Sequence, residues 1–269
     1  MKKSPSILMP FVAHRAFDWE PVVIDKTWGL KTIKNGNAYS ICKSLYCQEC
    51  QFLFLDIRFS DNELSNLYKD YRGLEYTSLR ELYEPGYSKR NEILNAGIDN
   101  IQDIEDFLTP LLKLPVSILD WGGDTGKNTP FKNQNKFIDI YDISNKEVMA
   151  SATKVTMKKA HSKRYNLIVC SNVLEHTPWP SDVLFDIIKS MNRSSVLYIE
   201  VPLENLVLTE KKDLHIQKKH WHEHINFFSE RSLNLLVQNV GLKVIDLKRL
   251  KVNASPQPYF LFQVACRLK

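Results

Sequence analysis

Long hydrophobic runs are missing from this sequence. None of its 269 residues belongs to an apolar stretch long enough to cross a membrane, and the apolar stretch near the start is too short for a signal peptide. The five cysteines are an odd number, which argues against a secreted disulfide framework. Internal repeats and low-complexity tracts are also missing. These absences predict a cytoplasmic protein without a membrane span.

A strong bias of charge is missing as well. The net charge of +5 is modest, and a nucleic-acid-binding protein would need a stronger basic bias with interleaved aromatic residues. Lysines do cluster twice, at Lys154, Lys158, Lys159 and Lys163, and at Lys211, Lys212, Lys218 and Lys219. These clusters are either solvated surface or a source of attraction for a phosphorylated substrate.

One short segment is the most informative feature of the chain. Residues 116–126 read Val-Ser-Ile-Leu-Asp-Trp-Gly-Gly-Asp-Thr-Gly, an apolar run that ends in Asp120 and continues into three closely spaced glycines. The pattern predicts a buried parallel strand that opens into a tight turn. Gly122, Gly123 and Gly126 would let a ligand approach the main chain, and this first turn of a doubly wound sheet is where a nucleotide-like cofactor binds.

A second acidic residue supports a cofactor site. Asp142 ends the alternating run Lys-Phe-Ile-Asp-Ile-Tyr-Asp at residues 136–142, about 20 residues beyond the glycine turn, which is the spacing at which a carboxylate can bind a ribose diol. The turn itself is not G-x-G-x-x-G. A nicotinamide- or flavin-dependent oxidoreductase is therefore the less natural interpretation.

The remaining pattern predicts an α/β fold in three parts. We expect a small N-terminal module of short strands over residues 1–60, a helical lid region over 61–113 and a core domain over 114–269. Strands are predicted at 116–120, 136–141, 153–157, 166–171, 195–201, 242–248 and 258–267, with helices near 181–191 and 229–240. The short connection between the last two strands suits an antiparallel pair.

Three segments of the core, in this order, carry a family resemblance. They are Asp120-Trp-Gly-Gly-Asp-Thr-Gly126, Tyr141-Asp-Ile-Ser144 and Tyr165-Asn-Leu-Ile-Val-Cys-Ser-Asn-Val-Leu-Glu-His176. Together they resemble the class I S-adenosylmethionine-dependent methyltransferases, whose sheet is doubly wound, mostly parallel and seven-stranded, with an antiparallel last strand. The resemblance implies that Asp142 holds the ribose and that the other cofactor contacts are Asp120, Gly122, Gly123, Gly126, Ile143, Ser171 and Asn172. The family usually has glycine where Asp124 stands, and often aspartate where Asn166 stands.

A cluster of histidines follows the predicted core strands. His215 precedes the segment His220-Trp-His-Glu-His-Ile-Asn-Phe-Phe-Ser229, which we call the histidine segment. If the segment is extended, His220, His222 and His224 point to one side, whereas in a helix only His220 and His224 align. Such a cluster can supply a general base, bind a metal or simply pack among the aromatic residues.

The histidine segment is similar to the aromatic-x-Glu-His segment of bacterial sugar methyltransferases. The resemblance implies that Glu223 and His224 lie in the active site, with His224 as the base, Glu223 as the residue that orients it and His222 in support. The family often has tyrosine where Trp221 stands. His176, at the end of the fourth predicted strand, is a further candidate because ligands bind at the carboxyl ends of parallel strands.

The N-terminal region offers a candidate metal site and a candidate lid. Cys47-Gln-Glu-Cys50 is one zinc knuckle, which Cys42 and His14 would have to complete, because structural zinc takes four ligands. Related sugar methyltransferases often carry two such pairs, so a remnant knuckle with free thiols is an equal alternative. The Tyr83-Glu-Pro-Gly-Tyr87 turn would present Tyr87 to the cofactor if this region folds over it, as it does in the family.

These features predict an S-adenosylmethionine-dependent methyltransferase. The expected acceptor is a small hydroxylated molecule, a nucleotide-linked or phosphorylated sugar or another surface-polysaccharide precursor of a bacterium. Oxygen is favoured over carbon because the resembled carbon methyltransferases carry a further C-terminal domain. The alternatives are C- or N-methylation of a related metabolite, and a non-catalytic subunit that binds the cofactor without turnover.

Overall fold

The architecture is taken from a computed structural model that describes residues 1–19, 42–96, 100–134, 137–144, 146–209, 213–252 and 258–269. Lys211 and Lys212 of the second lysine cluster lie outside these ranges. Two β-sheets dominate the described chain, one of seven strands and one of five. No helix among the described residues has the length and apolar character that crossing a bilayer demands.

The seven-stranded sheet forms the core and confirms the predicted α/β fold. Its strands are β4 (Ile118–Trp121), β5 (Ile138–Tyr141), β6 (Ala152–Lys154), β7 (Leu167–Ser171), β8 (Val196–Leu203), β11 (Leu242–Val252) and β12 (Tyr259–Leu268). The order is β11-β12-β8-β7-β4-β5-β6. The strands β4 to β8 pair in parallel, and β12 inserts antiparallel between β8 and β11. Continuous apolar runs form the central strands because both faces of the sheet are covered.

Helices cover this sheet and connect its strands. They are α5 (Ile101–Leu108), α6 (Met157–His161), α7 (Pro180–Ile188), α8 (Asn205–Leu208), α9 (Leu214–Gln217) and α10 (Glu230–Asn239). The helix α10 begins at Ser229, whose side chain accepts a hydrogen bond from the Ser232 amide, and Gly241 follows its end with a φ of 85°. The predicted helices near 181–191 and 229–240 therefore correspond to α7 and α10.

The five-stranded sheet joins the N-terminal residues to the histidine segment. Its order is β10-β3-β2-β1-β9, formed by β1 (Lys2–Leu8), β2 (Cys42–Tyr46), β3 (Leu53–Leu55), β9 (His220–Trp221) and β10 (Asn226–Phe227). The N-terminal module is not made of strands alone, because α1 (Pro10–Phe17) follows β1. The two strands from the histidine segment complete this sheet at both edges, so the module shares its sheet with the core chain.

The histidine segment is neither fully extended nor helical. Only its ends pair as strands, and residues 222–225 bend between them. Trp221 is fully buried, with its indole N–H on the Ser44 hydroxyl at 2.8 Å. At the other end, the amides of Ile225 and Asn226 both donate to the carbonyl of Glu175, at 2.8 and 3.1 Å. The bend is therefore held between the N-terminal sheet and the end of β7.

Three helices precede α5 in the predicted lid region. They are α2 (Asp61–Tyr68), α3 (Leu74–Tyr83) and α4 (Tyr87–Ala96). Ser60 begins α2 with a capping box: its hydroxyl accepts from the Glu63 amide, and the Glu63 carboxylate accepts from the Ser60 amide. The helix lies beside the core through the buried Leu67 and the half-buried Tyr68.

We predict that Ser60→Ala loosens α2 without unfolding the core. Loss of an N-cap hydroxyl typically costs about 1 kcal/mol, roughly a fivefold change in the local opening equilibrium. Amide hydrogen exchange over residues 61–68 should therefore accelerate, while the amides of β4 and β7 keep their protection. Unchanged exchange in α2 would show that tertiary contacts alone hold the helix.

Candidate functional site

A cavity of about 630 Å³ opens at the carboxyl ends of the parallel strands. Its walls come from the ends of β4, β5 and β7, from the start of α7 and from α2 with its flanking residues. The lining residues are Phe59, Ser60, Asp61, Leu64, Tyr68, Tyr71, Trp121, Gly122, Asp124, Tyr141, Asp142, Ile143, Ser144, Met157, Asn172, Val173, His176, Thr177, Pro178, Trp179, Asp182, Val183 and Asp186. This is the position at which open α/β sheets bind their ligands.

The glycine turn shapes one wall of the cavity. Gly122 has a φ of 80°, and a Cβ atom there would lie 2.5 Å from Cγ2 of Val173. A Cβ atom on Gly123 would lie 2.6 Å from Cγ of Asp120. The absence of side chains at these positions therefore lets the turn pack against the end of β7 and over Asp120. That carboxylate is buried and accepts a hydrogen bond from Thr129 at 2.5 Å, and burial raises the pKa of Asp120 to about 7.

Asp142 is held at the end of β5 by main-chain donors. Its Oδ2 accepts from the amide of Asp124 at 2.8 Å and its Oδ1 from the amide of Ser144 at 2.6 Å. Each carboxylate oxygen can accept a second bond, so the side chain can still bind a diol. Asp142 and its neighbour Ile143 both line the cavity.

Asp124 places a carboxylate in the turn where the resembled family has glycine. It has a φ of 50°, a conformation that glycine adopts more easily. Its Oδ2 lies 3.1 Å from Nζ of Lys146, whereas its buried Oδ1 has no hydrogen-bond partner in the part of the chain that the structure describes. The Lys146 ammonium also lies 5.3 Å from the centroid of the Tyr71 ring. Asp124 thus adds a partly neutralised negative charge to the cavity wall.

The end of β7 contributes Asn172 to the cavity, while Ser171 lies behind it. Both side chains bond Oε1 of Glu200, with Ser171 donating at 2.8 Å and Asn172 at 3.1 Å. The main-chain N–H of Asn172 also donates to the main-chain carbonyl of Glu200, at 2.9 Å. Hydrogen bonds between the ends of β7 and β8 therefore shape these strand ends at the cavity.

His176 reaches the cavity as a neutral ring. Its Nδ1 lies 3.1 Å from the carbonyl oxygen of Glu223 and 2.8 Å from the hydroxyl of Tyr68. A carbonyl only accepts, so Nδ1 carries the proton and Nε2 carries the lone pair. Burial, together with the nearby ring of His224, lowers the pKa of His176 to about 3.

His224 lies beside His176, although His224 is not itself among the residues that line the cavity. The centroids of the two rings are 4.6 Å apart at an interplanar angle of 80°. The Nδ1 of His224 lies 2.7 Å from Oε1 of Glu204, a residue that directly follows β8. Burial would lower the pKa of His224, but the bond to Glu204 and the nearby Glu175 raise it above its usual value. A carboxylate thus orients His224 and leaves its Nε2 available.

Glu223 does not provide that carboxylate, although the sequence predicted it as the orienting residue. Its two oxygens bond the Tyr76 hydroxyl and, at 3.0 Å, the guanidinium of Arg80. His222 belongs to the same buried cluster through Glu84 and Glu223. Burial would raise the pKa of Glu223, but His222 and Arg80 hold it well below its usual range. The cluster fixes the histidine segment to α3, and neighbours along an irregular segment point apart.

Two other predicted histidines remain apart from the cavity. His220 is exposed on the surface, and His215 is buried in α9. Neither lines the cavity. The histidine cluster seen in the sequence therefore divides among separate environments, and only His224 stands next to His176.

Tyr87 does not line the cavity, contrary to the predicted lid contact. Its ring is buried with its centroid 4.2 Å from the guanidinium carbon of Arg80 and 6.1 Å from the centroid of Tyr76. Cation–π attraction holds it behind α3. Tyr68 and Tyr71, the earlier tyrosines of the region, face the cavity instead.

The predicted zinc ligands are not brought together. The Cys42 thiol is buried and donates to the carbonyl of Ser6 at 3.1 Å, while Nδ1 of His14 lies 3.0 Å from the Tyr83 hydroxyl. Cys47 and Cys50 lie at the β2–β3 turn and hydrogen-bond each other. The structure describes all four residues, and none of them belongs to a group of described side chains close enough together to bind one metal ion. The geometry therefore does not support a zinc site, because strand β2 directs Cys42 into the core.

Sequence reasoning missed Glu204, Glu175 and the cavity-lining Tyr68. Glu204 follows the predicted strand 195–201 by three residues, so the rule that ligands bind at the carboxyl ends of parallel strands could have selected it. Glu175 stands in the segment that ends the fourth predicted strand, but nothing in its sequence position assigns it a role. Nothing in the sequence distinguishes Tyr68 from a tyrosine that only packs one helix against its neighbours.

Comparison with known proteins agrees with this geometry. The sequence model of a family described as a methyltransferase domain matches residues 95–247, more than half of the chain. No curated protein matches the chain.

Two solved structures share the fold at low sequence identity. The 1,6-didemethyltoxoflavin-N1-methyltransferase of Burkholderia thailandensis, bound to 1,6-didemethyltoxoflavin and S-adenosylhomocysteine, has a TM-score of 0.52 and 14% identity, covering 84% of this chain and 99% of its own. The glycopeptide N-methyltransferase MtfA, complexed with S-adenosyl-L-homocysteine, has a TM-score of 0.50 and 13% identity, covering 64% of this chain and 91% of its own.

We predict that Arg80→Met strongly destabilises the protein. It leaves the buried carboxylate of Glu223 without its cationic partner, which typically costs about 3–5 kcal/mol. In chemical denaturation the double variant Arg80→Met/Glu223→Gln should lose less stability than the sum of the two single variants, because the uncompensated charge is gone. The exposed Arg90→Met is the control, and an additive double variant would refute the coupling.

Proposed function

The chain belongs to the methyltransferase-domain family and is an S-adenosylmethionine-dependent methyltransferase, and we propose that it methylates a hydroxyl group of a small acceptor. The proposed acceptor is a nucleotide-linked or phosphorylated sugar, or a related precursor of a surface polysaccharide. A nucleotide-linked acceptor also implies a reaction in the cytoplasm.

The cavity suits the cofactor in shape and in chemistry. The aromatic and apolar walls suit an adenosine, while the Asp142 carboxylate suits its ribose hydroxyls. We place Ile143 beside the adenine and Asn172 beside the methionine portion. The Oδ1 of Asp124, which has no partner among the described residues, offers an acceptor for an ammonium group. When bound, the cofactor supplies an electrophilic methyl group on a sulfonium.

The bond between His224 and Glu204 is the observation that carries the proposal. An acceptor hydroxyl reacts faster as it loses its proton, so the enzyme needs a base beside the cavity. The Glu204 carboxylate accepts from Nδ1–H of His224 and therefore leaves the Nε2 lone pair free to take that proton. His176 lines the cavity next to this ring and remains neutral, so it can orient the acceptor by hydrogen bonding.

The surroundings of His224 favour an anionic acceptor. Lys218 lies close to the histidine segment, with Nζ 5.0 Å from the Trp221 ring centroid and 4.3 Å from that of Phe227. Its ammonium forms no salt bridge within 4.0 Å among the described residues, and the adjacent Lys219 is exposed. Lys218, whose charge acts on Glu204, can attract a phosphate group by simple Coulomb forces.

Three alternatives remain specific enough to test. Both solved neighbours described above are N-methyltransferases by name, which keeps an amine acceptor open. The Asp124 carboxylate in the glycine turn motivates a subunit that binds the cofactor without turnover. C-methylation of a related sugar is the third possibility. The position of the methyl group in the product separates these cases.

We predict that Asp142→Ala weakens binding of S-adenosylmethionine while the fold survives. Loss of a charge-assisted hydrogen bond to the ribose should cost about 1.5–3 kcal/mol, at least roughly a tenfold loss of affinity. Isothermal titration calorimetry measures this directly. Asp246→Ala, which removes an exposed carboxylate on β11 at the far edge of the sheet, is the matched control. Equal affinity of Asp142→Ala and the wild type would overturn the cofactor assignment.

We predict that His224→Gln folds and binds the cofactor normally but loses most of its turnover. Removal of a general base typically costs about a hundredfold to ten-thousandfold in rate. His222→Gln should be milder, since His222 serves the Arg80 cluster, and His215→Gln milder still. Near-native turnover in His224→Gln, combined with its loss in His176→Gln, would move the base to the end of β7.

The pH dependence of wild-type activity should also report the protonation state of His224. Only the neutral ring of His224 accepts a proton, and its pKa in the folded protein lies above 6.5. The kcat/KM profile should therefore fall as pH decreases through that raised value, with an acid midpoint above 6.5. A midpoint below 6.5, or a profile that is unchanged in His224→Gln, would contradict a role for this residue as base.

A further inference from the structure

Glu175 is a buried acid without a partner. Its side chain is only 2% exposed, and both carboxylate oxygens lack a hydrogen bond among the described residues. Its carbonyl, by contrast, accepts from the amides of Ile225 and Asn226. Burial of a polar group without a partner is costly, and a native protein keeps such a group only where something else compensates for it.

Two imidazole rings face this carboxylate. Nε2 of His176 lies 3.9 Å from Oε1 of Glu175, and one nitrogen from each ring lies within 4.8 Å of a Glu175 oxygen. His176 cannot supply a compensating charge, because its Nδ1–H donates to the Glu223 carbonyl and burial keeps the ring neutral. The positive charge nearest to Glu175 is therefore the protonated ring of His224.

We propose that Glu175 is a positioning residue that, together with Glu204, stabilises the protonated state of His224. The inference rests on the proposed function, in which His224 is the base. Glu204 bonds Nδ1 directly, whereas Glu175 acts through space from the buried side of the ring. Because water is excluded around Glu175, its charge is screened less than that of a surface carboxylate.

The proton balance of this arrangement is simple. The O–H bond of the acceptor breaks and an N–H bond forms at Nε2 of His224, so the ring gains one positive charge. Two carboxylates then flank the imidazolium, Glu204 at Nδ1 and Glu175 beside the ring. The proton afterwards returns to solvent, since about a third of the His224 side chain is exposed.

The coupling between Glu175 and His224 is reciprocal. Burial raises the pKa of Glu175 to about 7, and the charge of His224 opposes that rise. In turn, ionised Glu175 is one of the groups that raise the pKa of His224. The other charged or titratable groups that interact with the pair are Glu200, Glu204, Glu223, His176, Tyr68, Cys170 and, through Glu204, Lys218.

The test compares Glu175→Gln with the wild type by NMR titration of the His224 ring. Removal of the carboxylate should lower the midpoint of His224 by about one pH unit, a tenfold change in its protonation constant. The acid midpoint of kcat/KM should move in the same direction, while the affinity for S-adenosylmethionine stays the same. Glu175→Asp should restore part of the shift. Asp139→Asn, which alters a buried acid on β5 that is not among the groups acting on His224, is the matched control and should leave the midpoint in place.

Three outcomes would overturn the proposal. The first is a folded Glu175→Gln whose His224 midpoint equals that of the wild type, which would make Glu175 purely structural. The second is a divalent ion in purified wild-type protein, found by elemental analysis and lost in Glu175→Gln, which would make the carboxylate a metal ligand. If Glu175→Gln does not fold, the wild-type titration decides alone, and a His224 midpoint at or below 6.5 refutes the stabilisation.

The NMR midpoint is independent of turnover, so the two proposals can fail separately. Near-native activity of His224→Gln would remove the base and leave the measured coupling intact. An unchanged midpoint in Glu175→Gln, with an inactive His224→Gln, would keep the base and remove the role of Glu175.

Discussion

The site depends on the way in which the bend of the histidine segment is fixed at both of its ends. One end pairs with β1 and buries Trp221 against Ser44, and the other pairs with β3 and bonds the Glu175 carbonyl. The side-chain amide of Asn226 donates two further hydrogen bonds, to the carbonyls of Leu174 and Thr177, at 2.9 and 2.7 Å. These bonds hold His224 against the end of β7, where the parallel strands of the sheet open into the cavity.

The charged side chains buried around the bend determine which groups Glu223 and His224 each contact. Glu223 lies among Arg80, Tyr76 and His222, so its charge is satisfied within a closed cluster on the lid side. His224 turns the other way and meets Glu204 and Glu175. Adjacent residues of one segment thus have different surroundings, since Glu223 anchors the segment to α3 while His224 lies with Glu204 and Glu175. In the proposed reaction, the Glu175 carboxylate, which has no hydrogen bond among the described residues, lies beside the ring that takes up the proton.

Much of the core could be predicted from the sequence because its determinants are local. Apolar runs that end in Asp120 and Asp142 define β4 and β5, and Ser229 with Gly241 bounds α10. The helix α1 interrupts the expected strands because proline is favoured in the first turn of a helix, and Pro10 begins it. The partners of the site were harder to predict. Whether Glu204 or Glu223 meets His224 depends on where α3 and β8 lie in space, and nothing in the spacing of the residues encodes that.

Transfer of an isotope-labelled methyl group most directly tests the central claim. The wild-type protein would be incubated with labelled S-adenosylmethionine and a panel of nucleotide-linked sugars, and the labelled position in the product would be located by NMR. The account predicts a label on an oxygen of the sugar, and a loss of transfer in His224→Gln while cofactor binding persists. A label on nitrogen or carbon, or cofactor binding with no transfer to any hydroxylated acceptor, would contradict it.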